Sequence, residues 1–201
     1  MRGRLAALLL TGALVTGASA QPNLGRITPA GVVRAQAVVD SVFLERTMST
    51  GWIEAGDWAS YLMGRLGVTP FPDSIGLVVL VDSQAITFRG RIQDLPEEAR
   101  AMLGPLSALV DSNTTLEAQV VTLPAGEGLL HYYLRGVTVG GFPVPDIVLR
   151  SMLFDVGEKY PALTKSGRDL FVQIPTDGSV VQQSGGVRLS APPKRPGGGT
   201  P

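Results

Sequence analysis

His131 is the only histidine in a chain of 201 residues that contains no cysteine. An imidazole can bind a metal or move a proton, but a metal site needs several ligands at fixed spacing. With no second histidine and no thiolate, neither a zinc centre nor a disulfide frame has material. The Gly-x-Ser-x-Gly elbow of a serine nucleophile is absent too. Flanked by Leu130 and Tyr132, His131 reads as a strand surface residue. The carboxylates are scattered. Glu97 and Glu98 adjoin, but in the first turn of an expected helix, where they face the positive end of its dipole. Asp155 and Glu158 lie one turn apart and look solvated, whereas a catalytic pair needs burial to separate its two pKa values. Gly140-Gly141 and Gly185-Gly186 match no phosphate loop or dinucleotide fingerprint. Asn113-Thr114-Thr115 spells a glycosylation sequon, a motif short enough to arise by chance. The expectation is a protein without catalytic residues, metal or cofactor. An esterase or other hydrolase ranks well below the other readings.

The elements that would position a site begin behind an export signal. Arg2 and Arg4 precede an apolar run from Leu5 to Val15, and Ala18-Ser19-Ala20 supplies a small-x-small cleavage site. The expected organisation is a signal peptide over 1–20, a single domain over 21–190, and a disordered proline- and glycine-rich tail over 191–201. The mature protein is therefore expected to be extracytoplasmic, periplasmic or secreted. Acidic and basic residues balance at 17 each. Loss of Arg2 and Arg4 tips the mature chain slightly acidic, which argues against a nucleic-acid partner. Charged residues make up 17% and hydrophobic ones 44%. That charge content is below the roughly 25% usual for soluble domains, which suggests more apolar surface than charge can screen.

Along the chain, Thr28-Pro29 predicts a helix cap, and the apolar stripe runs from Val32 to Phe43. A short strand is expected within Met48–Ile53. A helix follows from a cap at Asp57, with Trp58, Tyr61, Leu62 and Leu66 on one face and Gly67 at its end. Ile75–Val81 and Gln84–Ile92 form a hairpin through Asp82-Ser83. Asp94 to Leu109 predicts a helix kinked at Pro105. Strands are expected over Thr114–Leu123 and Leu129–Val139, the second with a bulge near Arg135-Gly136 where its apolar phase slips. A glycine turn at 140–141, with at least one of the two at positive φ or in close backbone contact, leads through Pro143 and Pro145 into a helix ending near Gly157 to Lys159. A last hairpin pairs "DLFVQIP" with "GSVVQQSGGVRLS". Hairpin-linked strands with interspersed helices give an α+β class: one curved antiparallel sheet of about six or seven strands packed by three or four helices.

Two segments carry more apolar surface than a half-exposed element needs. "IGLVVLV" is apolar on both pleat faces, so both faces must be covered. Ile147, Val148, Leu149, Met152, Leu153, Phe154 and Val156 circle most of their helix. A two-sided core accounts for this, and so does an apolar groove between sheet and helices.

The segments "DWASYLMGRLG", "ITFRGRI" and "LRGVTVGGFPVPDIVLRSML", in that order, resemble bacterial envelope members of the TULIP-like, or tubular lipid-binding, proteins. The likeness covers roughly residues 48–175 and rests on order and texture, without a diagnostic motif. It implies a curved sheet and helices around an apolar interior that takes acyl chains, and it carries over no catalytic residues. The shorter chain here would leave an open groove in place of a closed tunnel. The resulting expectation is a soluble exported protein that binds a lipid or other apolar molecule, with contact to a membrane surface. The expected ligand-binding residues are Leu77, Val79, Ile86, Phe88, Leu130, Tyr132, Leu134, Val148 and Met152. The alternative is a non-catalytic envelope interaction module with a solid core.

Overall fold

Thr28 and Pro29 start a helix as the sequence expects. In the computed structural model, which describes residues 25–67, 75–95, 97, 100 and 111–193, the Thr28 hydroxyl accepts a hydrogen bond from Gly31 N at 3.0 Å. Helix α1 (Pro29–Val39) runs on into a π turn over Asp40–Leu44. Helix α2 (Ala55–Leu66) begins two residues ahead of the expected Asp57 cap, because Glu54 takes the cap position. Asp57 is drawn instead to Arg34 of α1, from which it accepts hydrogen bonds at 2.6 and 2.8 Å. Gly67 closes α2 with φ 82°. The third helix, α3 (Asp146–Lys159), begins directly after Pro145. The expected signal peptide and most of the helix expected from Asp94 lie outside the described residues. Its start is a 3-10 turn over Ile92–Asp94.

The strands are β1 (Gly25–Ile27), β2 (Thr50–Glu54), β3 (Ile75–Val81), β4 (Ala85–Arg91), β5 (Thr115–Leu123), β6 (Leu129–Val139), β7 (Phe142–Pro143), β8 (Asp169–Gln173), β9 (Ser179–Gln183) and β10 (Gly186–Ser190). The fold is α+β, as expected, with an open seven-stranded sheet and a second sheet beside it. The larger sheet runs β1-β3-β4-β5-β6-β7, and β8 also pairs with β6; the smaller runs β2-β10-β9. All of these pairings are antiparallel. The expected single sheet is two sheets, and the expected last hairpin does not form. β8 does not pair with β9. It adds to β6, with Leu130 opposite Val172 and Tyr132 opposite Leu170. The chain then crosses to the smaller sheet through a turn closed by Gly178 N on Pro175 O. Arg46 holds that turn through Asp177 at 2.7 Å. The true hairpin is β9–β10, around Ser184-Gly185.

The core forms around α2. Trp58, Ala59, Tyr61 and Leu62 are buried against Val79, Val81, Ile86, Leu130, Tyr132, Leu170 and Val172 of the larger sheet, and against Ile53, Val187 and Leu189 of the smaller one. Small residues let the backbones approach: a Cβ on Gly56 would lie 2.4 Å from the carbonyl oxygen of Arg26. Ser60, the buried polar side chain of the core, donates to Gly56 O at 2.6 Å and accepts from Thr28 N at 3.0 Å. Its two bonds tie α2 to the start of α1, so the polar atom is not left unpaired in the core. Ala191, placed in the tail by the sequence, is buried in the same core. The other pleat face of β3, with Val78 and Leu80, is half-buried.

Candidate functional site

An apolar groove of about 210 Å³ opens between α2 and the larger sheet. Its helical wall is Ala59, Leu62, Met63 and Leu66. These positions are spaced i, i+3, i+4 and i+7, so they share one side of the helix. The floor is built of cross-strand partners: Ile86 opposite Val120, Val120 opposite Leu134, and Tyr132 opposite Leu170. Phe88 extends the floor, and Leu163, Gly167 and Arg168 close one side.

The bulge in β6 decides what the floor is made of. Gln119 pairs with Gly136, but Val120 pairs with Leu134, so Arg135 is skipped. Because side chains alternate across a strand, that extra residue reverses the phase of everything before it. Without it, Tyr133 and Arg135 would face the helix. With it, Tyr132 and Leu134 do. Tyr132 is 2% exposed, and its hydroxyl accepts from Trp58 Nε1 at 3.1 Å. Burial raises its pKa well above the ordinary phenol value, and the Trp58 bond only partly offsets this. The ring is therefore a neutral, fixed part of the floor.

Four of the expected ligand-binding residues, Ile86, Phe88, Tyr132 and Leu134, line the groove. Val79 and Leu130 belong to the buried core. Leu77 packs partly buried between that core and a small second cluster of Ile92 and Leu95. Met152 packs on the second cluster with Leu116 and Val139, away from the groove. Val148 is half-buried and is not a lining residue. The α2 wall was legible in the spacing of Leu62 and Leu66, which the sequence already sets on one helical face. Val120 shows in the alternation of its strand, with Leu116 and Ala118, whereas Leu163, Leu170 and Arg168 reach the groove through the β6–β8 pairing and the loop before β8.

Helix α3 does not lie across the groove. It is held from its side by the loop over residues 160–168. A Cβ on Gly157 would lie 2.7 Å from Thr164 O, and one on Gly167 would overlap Leu153 O. Arg168 bonds Asp146 in the first turn of α3, and Arg150 reaches the same carboxylate at 2.7 Å. Gly140 and Gly141, at φ 60° and 83°, make the reversal from β6 into β7 and on to α3, as the sequence requires of that turn.

His131 has a partner that the sequence does not reveal. Its Nε2 is 2.7 Å from Asp169, and its ring stacks on Phe171 with centroids 4.3 Å apart. Asp169 also accepts from the hydroxyls of Thr164 and Ser166. The carboxylate thus stands between imidazole and hydroxyls. A nucleophilic relay needs the imidazole in the middle. Burial alone would raise the Asp169 carboxyl, but the bonds from His131, Ser166 and Thr164 hold it below its ordinary value. This cluster fastens β8 to β6. A wider, polar depression of about 380 Å³ lies at the start of α2. Its Arg34 and Asp57 are paired with each other. Among the described residues no group of three or more acidic or histidine side chains could hold a metal ion. Nor is any described helix long and apolar enough to cross a membrane. No family model, curated protein or solved structure matches the chain.

Proposed function

We propose that the protein is an exported, non-catalytic carrier or sensor that binds the acyl portion of a lipid, or another apolar molecule, between α2 and the larger sheet. The observation that carries this reading is the groove itself. It is walled almost wholly by apolar side chains, on a helix and a sheet that the buried Trp58–Tyr132 bond locks together. Pockets for small ligands are mostly apolar with a few polar groups to orient the ligand. The volume of about 210 Å³ falls below the roughly 300–1,000 Å³ of pockets that enclose a drug-sized molecule. It suits one acyl segment rather than a whole two-chain lipid. Native mass spectrometry after gentle purification should show co-purified lipid, and a fluorescent fatty acid should bind and be displaced by unlabelled lipid. A clean apoprotein that takes up no such probe would sink the reading.

The second reading, an envelope interaction module, is favoured by one flank of α3. Ile147 and Phe154, seven residues apart on one side of α3, are 79% and 52% exposed, and Phe142 of β7, just ahead of the helix in the chain, is 78% exposed. Exposed apolar groups gathered in one place mark contact surfaces more often than isolated ones do. Co-purification of a fixed protein partner that Ile147→Asp releases, together with an empty groove, would decide for this reading.

A further inference from the structure

Arg168 is the one charged residue in the wall of the groove. Its side chain is only 11% exposed. Nη1 donates to the Tyr133 hydroxyl at 3.1 Å, and Nη2 donates to Asp146. Nε is buried and has no hydrogen-bond partner. A buried guanidinium N–H left unpaired is costly, more so than a neutral donor. The carboxylate partner of Arg168 is not its own. Asp146 is shared between Arg168 and Arg150, so two guanidinium groups meet one carboxylate. The neighbouring acid, Asp169, is taken up by His131, Ser166 and Thr164. The wall of an otherwise apolar groove therefore includes a guanidinium with one unpaired donor, and that guanidinium shares its carboxylate partner with Arg150. The Arg168 backbone is fixed as well, because Leu134 N, from the groove floor, donates to Arg168 O at 2.9 Å.

We propose that the groove takes a single-chain amphiphile with an anionic headgroup, of the fatty-acid carboxylate type, its chain along Leu62, Leu66 and Phe88 and its headgroup on Arg168 Nε. This rests on the groove being a ligand site, and it adds the chemistry of the ligand's polar end. A carboxylate supplies what the site lacks, an acceptor for Nε, and its charge makes that bond a strong one. A neutral alcohol of the same length supplies a weaker acceptor and no charge, and an alkylamine is repelled.

The test compares laurate, lauryl alcohol and laurylamine on the full chain, by displacement of a neutral fluorescent probe from the groove at low salt. Laurate should bind about ten- to a hundredfold more tightly than the alcohol, the span expected for one charge-assisted hydrogen bond. The amine should bind least. Arg168→Met, checked for folding by circular dichroism, should bring laurate down to the level of the alcohol. Asp146→Asn should move laurate the other way, tightening it severalfold, because it removes the carboxylate that competes for Arg168. Equal binding of laurate and alcohol by the native chain would overturn the proposal while leaving the groove as a binding site. So would a laurate preference that survives Arg168→Met. Binding of none of the three would overturn the groove reading, and this proposal with it. The native-chain comparison needs no variant, so a variant that fails to fold does not protect the idea.

Discussion

Helices α2 and α3 are 12 and 14 residues long, and both adjoin the larger sheet. In α2 seven residues are buried: Ala55, Gly56, Trp58, Ala59, Ser60, Tyr61 and Leu62. In α3 only Leu149 and Gly157 are. Yet α3 has Ile147, Val148, Leu149, Met152, Leu153, Phe154 and Val156, a run at least as apolar as anything in α2. The difference lies in spacing and size. Gly56, Ala59 and Ser60 let the backbone of α2 approach β1 and α1 closely, and its large side chains then reach two sheets at once. In α3 the apolar residues are interrupted on every turn by Asp146, Arg150, Asp155 and Glu158, which leaves no stripe wide enough to lie on a sheet. Burial follows from how near a backbone can come, and apolar content alone does not determine it.

Truncating the largest side chain on each helix should separate the two most sharply. Trp58→Ala removes a side chain that is 1% exposed and leaves the Tyr132 hydroxyl without its donor. It should cost about 3–5 kcal/mol of unfolding free energy. Phe154→Ala, at an exposed site, should stay within about 0.5 kcal/mol. Urea denaturation monitored by circular dichroism measures both. Equal losses would mean that α3 is as much a part of the core as α2. The close approach can be probed alone with Gly56→Ala. The added methyl would meet backbone atoms at 2.4 and 2.5 Å, and those cannot swing aside, so a loss of about 1–3 kcal/mol is expected from overpacking.

Binding should divide the helices as well. Met63 and Met152 are both half-buried methionines, one in the groove wall and the other on the second cluster. Met63→Asp should abolish uptake of a fluorescent fatty acid, because an unpaired carboxylate in an apolar site is strongly disfavoured. Met152→Asp should lower the melting temperature and leave uptake intact. If Met152→Asp abolished uptake in a folded protein, the ligand would lie against α3, and the groove beside α2 would not be its site.

Much of this architecture is legible in the amino-acid sequence. The β3–β4 hairpin showed itself by alternation, the β6 bulge by a slip in apolar phase, and the reversal at Gly140-Gly141 by the need for positive φ. These signals are local, because each depends on which face a side chain takes within a few residues. What could not be read depends on partner choice at long range. Thr176-Asp177-Gly178 has the composition of a hairpin turn and serves as a crossover, because β8 finds β6 and Arg46 clamps Asp177. The groove divides along the same line. Ile86, Phe88, Tyr132 and Leu134 could be picked from alternation. Arg168 enters the wall through a loop whose course depends on Gly157 and Gly167 seating against one another's segments.

The smallest expected effect concerns how each helix is held. α2 is held by packing, whereas α3, besides the seating of Leu149 and Gly157, is tied to the loop before β8 by the ion pair of Asp146 with Arg168. The hydrogen bond from Arg168, with Arg150 adding to it, holds the Asp146 carboxyl below its ordinary 3.8, against a smaller opposing effect of desolvation. A carboxylate whose folded pKa is depressed contributes stability that is complete above its unfolded value and is lost as pH falls through its folded one. The contribution of Asp146 should therefore be intact above about pH 5 and fade below about pH 4. Asp169, depressed by its bonds to His131, Ser166 and Thr164, should fade over the same window and loosen β8 and the loop behind α3. Nuclear magnetic resonance during an acid titration should show the amides of α3 shifting and broadening before the Trp58 indole signal moves. In Asp146→Asn the α3 response should flatten, because that side chain no longer titrates. If the Trp58 signal moved first, or if α3 responded to acid equally in the variant, electrostatics would not be what distinguishes the two helices. The exposed flank of α3 would then have to be held by its half-buried Val148, Met152 and Leu153.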